Sequence, residues 1–463
     1  MQNTKTLMKW GVAFLFAITL YFIAPRGVSP EMPIYAALTG FAIVLWVFEV
    51  FPPFATATAL CFGYILLMGT DPELVFAPWG TTLVWISFGG VLFGEAMKST
   101  GLAKRIALKC LLITGGSFKG LAIGFAIAGV ILGMLLPSIF ARVVIFCAIG
   151  IGIIDTLKLD KFSRMSSTLI LMAFFAAAAP CLMFLHTSES FIWAFEVMFG
   201  GRQNVPVSFW GYVQHGTLLS IFYVIASFGT LWLVKGKENL PPRDELRKAV
   251  DENYAEMGPM TGREKRLTVL VVLGISAFML QPWTGINDVF MFAFIALMCY
   301  LPGLKIEKPE NFNTLQLTFL LMITGCMAMG MVGNSIGASK WAVEQLKPIL
   351  ESMSPVAAVI TSYLGGTAVN FILTPLAATA AFTPAFGEIG IQTGINPLPL
   401  FYAFSYGLDQ YVLPYEMVPF LYIFTTGYIK LAHVVKALAI RFVLAGILIA
   451  GFAVPYWIFI GIL

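Results

Sequence analysis

Charge is what this chain has least of. Of its 463 residues only 11% are Asp, Glu, Lys or Arg, while 59% are hydrophobic and the mean hydropathy is +0.87. No water-soluble globule can cover itself with so little polar surface, so the chain belongs in a bilayer. Histidine is scarcer still, at three residues. The six cysteines (Cys61, Cys110, Cys147, Cys181, Cys299 and Cys326) stand singly in or beside apolar segments, with no Cys-x-x-Cys pair. That pattern argues against a metal site or a disulfide framework and marks them as small buried hydrophobes. No nucleophile elbow, phosphate loop or cofactor motif occurs, so an enzyme is not expected. The net charge of +4 is too small and too dispersed for a nucleic-acid partner.

What is present is a set of apolar runs, one of them too long. About 20 residues cross the hydrocarbon, yet the run over 121–154 is broken only by Leu135-Leu136-Pro137-Ser138-Ile139-Phe140-Ala141-Arg142. This predicts two half-helices meeting at Pro137-Ser138 in a re-entrant hairpin. Ser138 can cap the second half-helix, whose unpaired N–H groups make a weakly positive concavity suited to an anion. Arg142, four residues on, shares its face. A plain Pro kink, with Arg142 paired to a nearby acid, is the competing explanation. A second copy favours the hairpin. At an offset of 236 residues Thr374-Pro375 stands inside another apolar run, 357–386, and the same offset aligns Ser99-Thr100-Gly101-Leu102-Ala103-Lys104 with Ser335-Ile336-Gly337-Ala338-Ser339-Lys340. Two matches at one offset indicate an internal repeat.

The expected fold is therefore an all-α integral membrane protein. An N-terminal transmembrane helix lies within 1–32, read as a true helix and not as a cleaved signal. A first repeat covers 33–235, with its hairpin at 120–155 and a helix at 166–198 broken near 186–190. A charged linker, 236–265, carries a short helix at 243–257. The second repeat covers 266–463, with its hairpin at 355–388 and a helix at 397–430 broken near 415–420. An amphipathic segment suited to the interface precedes each hairpin. With the N-terminus cytoplasmic, 23 of the 28 basic residues, Arg441 among them, fall on the cytoplasmic side of the inner membrane, and Arg142 alone lies within the bilayer. An odd number of crossings between equivalent elements inverts the repeats, an arrangement associated with alternating access around a midplane site.

Ionisable groups at that depth cost on the order of 2.5–3.5 kcal/mol each on insertion scales, so each asks for a reason. His186-Thr187-Ser188-Glu189-Ser190 interrupts one helix; Asp409-Gln410 and Leu413-Pro414-Tyr415-Glu416-Met417-Val418-Pro419 interrupt the other. Two breaks and two hairpin tips would build one site. Candidate substrate contacts are Ser138, Ile139, Phe140, Arg142, Thr187, Ser188 and Thr374; candidate coupling residues are His186, Glu189, Asp409 and Glu416, with Na+ or H+ as the coupling ion. Structural roles remain open beside these: a satisfied core His186, a static Glu189–Arg142 bridge, a Glu416 that caps a helix. Asn370 and Glu95 are further polar residues among the apolar runs.

Trp46-Val47-Phe48-Glu49-Val50-Phe51-Pro52, Phe88-Gly89-Gly90, Lys98-Ser99-Thr100-Gly101-Leu102 and Thr425-Thr426-Gly427-Tyr428-Ile429-Lys430, in that order and spacing, resemble the divalent anion:sodium symporter family of dicarboxylate, citrate and sulfate carriers. The resemblance implies two inverted repeats, a homodimer, and transport domains that move as elevators. It also implies Ser-Asn-Thr at both hairpin tips, touching substrate carboxylate and sodium. Here the tips read Ser138-Ile139-Phe140 and Thr374-Pro375-Leu376, so only the leading hydroxyl survives. The expected function is secondary transport of a small organic anion, coupled to H+ or Na+ or run as exchange. The alternatives are a cation/proton antiporter on the same fold and a non-transporting sensor or assembly partner.

Overall fold

Helices fill the apolar runs, and about half begin at a Ser, Thr, Asn or Asp able to cap them. The computed structural model describes the chain except for residues 1, 49, 137, 188–193, 196–197, 199–206, 208, 237–240, 316 and 372. It also leaves aside the side chains of 2–6, 47, 53, 83, 186, 278, 282, 288, 314, 319, 346, 347, 349–351, 376, 377, 380 and 415. Among the described residues there is no strand. In order the helices are α1 (Gln2–Ile23), α2 (Met32–Val47), α3 (Pro53–Met68), α4 (Pro72–Phe76), α5 (Thr82–Thr100), α6 (Leu102–Thr114), α7 (Phe118–Leu135), α8 (Ile139–Thr156) and α9 (Arg164–Ala178). After α10 (Phe209–Lys235) come α11 (Arg243–Ala255), α12 (Gly262–Thr284), α13 (Asp288–Met298), α14 (Thr318–Ser335), α15 (Ala338–Ser352), α16 (Pro355–Asn370), α17 (Pro375–Thr393), α18 (Pro397–Leu408) and α19 (Val418–Thr425), and last α20 (Leu431–Phe459). Five of these, α7, α8, α9 with the turn after it, α10 and α20, are long and apolar enough by themselves to cross a membrane.

Each hairpin is identified by what its two arms touch. In the first, Phe125 of α7 and Phe146 of α8 lie 5.9 Å apart, ring to ring, so the two arms run back against each other. In the second, Phe404 of α18 meets both Gly366 of α16 and Phe382 of α17, which lie about equally far before and after Thr374. Both hairpins straddle a broken helix, and in both the first arm approaches through glycine. A Cβ at Gly129 would lie 2.1 Å from the carbonyl oxygen of Ala176 in α9; a Cβ at Gly366 would lie 2.2 Å from that of Phe404 in α18. Without a hydrophobic force between helices in lipid, such backbone-to-backbone packing supplies the adhesion.

The breaks begin earlier than the expected 186–190 and 415–420. Helix α9 stops at Ala178 and passes into tight turns at Ala179–Leu182 and Leu185–Thr187, so the interruption starts before His186. Helix α18 stops at Leu408, and the chain becomes helical again only at Val418 apart from a turn at Pro414–Glu416. Pro180, which cannot continue a helix ladder, marks the first break more closely than His186 does, while the second opens at Asp409 itself.

The remaining elements frame these pieces. Helices α1–α3 pack on one another and on α14, and α5 packs on α12 and α13. Amphipathic α6 lies against α7; α15 turns 73° from the axis of α14 and lies against α17. The linker helix α11 docks on α6 and α8, with Arg247 against Gly116 and the buried Asn253 against Gly152. Its exit is clasped by Arg105, which reaches Glu264 at 2.6 Å and donates to the carbonyl of Gly258 at 2.9 Å. Thr261 and Glu264 complete a capping box at the start of α12.

Neighbouring glycines test the packing argument. Gly366→Val should lower the melting temperature of the detergent-purified protein, since overpacking costs about 1–3 kcal/mol. Gly365→Val, where a Cβ meets nothing within 4 Å, should leave the melt in place.

Candidate functional site

At the first tip, Ser138 has the extended backbone of an N-cap and its hydroxyl accepts from the N–H of Ala141 at 3.4 Å. Ile139 is half-buried. Phe140 is 39% exposed and sets its ring edge-on to Tyr422 of α19 at 5.5 Å, so the first tip touches the second broken helix. Arg142 turns the other way and is wholly buried. A Cβ at Gly133 would lie 2.8 Å from its Nη1, 3.7 Å from Cγ2 of Thr187 and 3.8 Å from Cβ of Pro180. The guanidinium thus sits between the hairpin's first arm and the first break, in space that glycine leaves open.

The first break is closed by hydroxyls. Thr187 Oγ1 donates to the carbonyls of Phe184 at 2.7 Å and Cys181 at 3.0 Å, and accepts from the N–H of Phe184. From α10, Tyr212 and Ser220 both donate to the carbonyl of Leu182, at 2.6 and 2.7 Å. Thr187 is therefore occupied in holding the loop. Ser188, Glu189 and the side chain of His186 lie outside the described residues.

The second tip is built of acceptors. Thr374 occupies the N-cap of α17, ahead of Pro375, and its hydroxyl makes no cap hydrogen bond. Asn370, at the end of α16, points Nδ2 at the carbonyl of Gln410 at 3.3 Å and at Oε2 of Glu416 at 3.5 Å. Glu416 Oε2 also accepts from the N–H of Val412 at 2.7 Å. Asn370 Oδ1, Glu416 Oε1, Gln410 Oε1 and Thr374 Oγ1 are buried and have no hydrogen-bond partner among the described residues. Hard oxygen atoms of this kind suit a small hard cation. Among the described residues no three His, Cys, Asp or Glu side chains gather as a transition-metal site would need.

Between the tips, Asp409 and Cys181 bring the two breaks together, Sγ to Oδ1 at 3.8 Å. The charge pattern places Arg441 at the cytoplasmic flank; the structure corrects this. Arg441 is 1% exposed and ten residues past Leu431, about 15 Å along α20. Its Nη2 pairs with Oδ2 of Asp409 at 2.5 Å. Arg142 is accordingly not alone at depth. Tyr223 donates to the same carboxylate oxygen at 2.5 Å, and Arg441 also donates to Tyr223 and, at 3.2 Å, to Ser227. Asp409 is thus a salt-bridged group. Glu95, by contrast, pairs with Lys98 at the protein surface.

Arg441, Tyr223 and Cys181 hold the breaks together behind the candidate site, and sequence reasoning missed them. For Arg441 a signal existed: unlike Lys436 it is flanked by Ala439-Ile440 and Phe442-Val443, too deep in the apolar run for a flanking charge. A tyrosine or cysteine inside an apolar helix carries no such mark.

Breaking a buried pair from one side strands a charge, at a cost of about 3–5 kcal/mol. Arg441→Gln should therefore lower the melting temperature of the purified protein steeply, and adding Asp409→Asn should return most of the loss.

With this geometry in view, comparison with known proteins is informative. A curated relative, the sodium-dependent dicarboxylate transporter SdcS of Staphylococcus saprophyticus, is 24% identical over 477 residues, covering 95% of this chain and 90% of its own. SdcS of Staphylococcus aureus is likewise 24% identical, over 453 residues, 90% of this chain and 84% of its own. The crystal structure of the YdaH transporter of Alcanivorax borkumensis, described as having an unusual topology, superposes with a TM-score of 0.55 at 15% identity. It covers 93% of this chain and 99% of that one, a likeness of fold alone. The family model described as the sodium:sulfate symporter transmembrane region matches residues 4–463. The chain therefore belongs to the sodium:sulfate (divalent anion:sodium) symporter family, and is a multi-pass membrane transporter and not an enzyme.

Proposed function

We propose that this chain carries a small organic anion of the dicarboxylate kind across the inner membrane by alternating access, and that a sodium ion at the second tip drives it. One observation carries the reading: the two tips have opposite character. The first joins a buried guanidinium, Arg142, to the capped N-terminus of α8; the second offers four bare oxygens, those of Asn370, Thr374, Gln410 and Glu416. An anion and a cation are the ligands these ends attract. The curated relatives, both sodium-dependent dicarboxylate transporters, support the same assignment.

In this reading the positive field of Arg142 and the N–H groups beside Ser138 hold the acidic group, and Ile139 with Phe140 bears against the carbon skeleton. Glu416 and Asn370 ligate sodium, while Ser188 is a candidate substrate contact and Glu189 and His186 are candidate coupling residues. The hairpins and broken helices move as one elevator body against the α1–α3 frame of a homodimer, with the N-terminus in the cytoplasm.

Uptake of labelled succinate, citrate and monocarboxylates into proteoliposomes under an imposed sodium gradient tests this. At least one acid should accumulate; Arg142→Gln should cut its initial rate on the order of a hundredfold, as loss of a buried charge partner does. Glu416→Gln should abolish the response to the sodium gradient. Unchanged uptake by Arg142→Gln would refute the assignment, and a current that depends on a cation gradient yet ignores every anion would favour cation/proton exchange.

A further inference from the structure

Arg441 touches none of the bare oxygens of the second tip, yet an unbroken series of contacts joins it to the residues that carry three of them, Gln410, Asn370 and Glu416. Its guanidinium pairs with Asp409 and donates to the Tyr223 hydroxyl. That hydroxyl donates to Asp409 and accepts from Nε2 of Gln410 at 2.9 Å. Gln410 Nε2 is held from its other side by the carbonyl of Tyr406 at 2.7 Å. The backbone carbonyl of Gln410 in turn receives Nδ2 of Asn370, whose other contact is Glu416. Every member, Arg441, Tyr223, Asp409, Gln410, Asn370 and Glu416, is at most 3% exposed, so bulk solvent does not reach the series. The guanidinium also stacks over the rings of Phe175 and Tyr223, at 5.3 and 5.0 Å. One side chain of the last helix therefore fastens α9, α10 and the end of α18 together where α18 gives way to irregular backbone.

We propose that Arg441 is a positioning residue for the cation site: through Asp409, Tyr223 and Gln410 it sets where Asn370 and Glu416 present their free oxygens, and so sets sodium affinity. The claim rests on the second tip binding sodium as described above. The physical argument is that the N–H groups of Asp409 and Gln410 still bond the carbonyls of Ser405 and Gly407, but the helix ends there, so the direction of the Gln410 carbonyl depends on how the side chains of Asp409 and Gln410 are held. Both are held by groups that Arg441 holds. Outer residues of this kind typically alter ion affinity tenfold to a hundredfold.

The test uses the full-length protein, purified and reconstituted, with NaCl exchanged for choline chloride at constant ionic strength. Half-saturating sodium is read both from thermal stabilisation and from the initial uptake rate of whichever acid the proteoliposome panel identifies. Tyr223→Phe removes a link without stranding a charge, and should raise half-saturating sodium about tenfold while leaving the maximal uptake rate close to that of the unaltered protein. Arg441→Gln should raise it further, and Arg441→Lys should recover part of the loss. Arg105→Gln, which breaks the other buried ion pair at the linker, supplies the control. It should lower the melting temperature without moving the sodium midpoint. If Tyr223→Phe and Arg441→Lys lower thermal stability but keep the sodium midpoint where it was, Arg441 is only structural and the proposal fails. If the unaltered protein transports its acid with no response to sodium, it is the sodium reading that fails.

Discussion

Backbone without a helix ladder cannot face lipid, because each unpaired N–H or C=O there costs several kcal/mol. That constraint governs the whole molecule. The chain leaves regular helix at two hairpin turns and two breaks, and in the first break the side chains of a neighbouring helix take up the freed carbonyls. Leu182 and Met183 show how closely this is done: Tyr212 and Ser220 donate to the first carbonyl, Thr217 to the second. Because α10 supplies these hydroxyls and also Tyr223, it stabilises the first break and braces the second. Glycines at 129, 366 and 407 then let the hairpin arms come close enough to enclose the irregular segments.

Charge follows the same logic. Buried ions survive where a partner offsets their desolvation, and such pairs contribute little net stability while making one arrangement much better than its neighbours. Arg105 with Glu264 does this at the linker, tying the exit of α11 to the start of α12. Arg441 with Asp409 does it in the interior, tying the last helix to the point where α18 stops. Asn370 and Glu416 obey a different rule. Each spends one atom on the surrounding structure and leaves the other bare, as groups do when their partner is a ligand. The candidate site is thus a fixed polar lattice with a few open valences, and Ile139 and Phe140 make its first tip largely apolar.

Much of this was legible in the chain itself. Overlong apolar runs interrupted at Ser138 and Thr374, each next to a proline, announce the hairpins because hydrocarbon thickness limits helix length. The 236-residue offset announces the repeat. The breaks were legible only as regions: polar residues at 186–190 and 409–419 show that helix is interrupted, but Pro180 and the supply of hydroxyls from α10 decide where it stops. Asp409 and Glu416 look alike in sequence, each an acid in an apolar setting. They diverge in the fold because one meets Arg441 and the other meets an amide with an atom to spare.

Sequence alone therefore determined the solvent this protein lives in, its two-fold internal plan, and which polar residues had to be accounted for. Those properties depend on local length, composition and period, which a linear chain records. Tertiary structure alone decided which charges are spent and which remain available, since Arg441 reaches Asp409 across 32 positions and Tyr223 across 218. Partnership between buried groups is a matter of distance in three dimensions, and in a low-dielectric interior that distance separates a structural ion pair from a binding site.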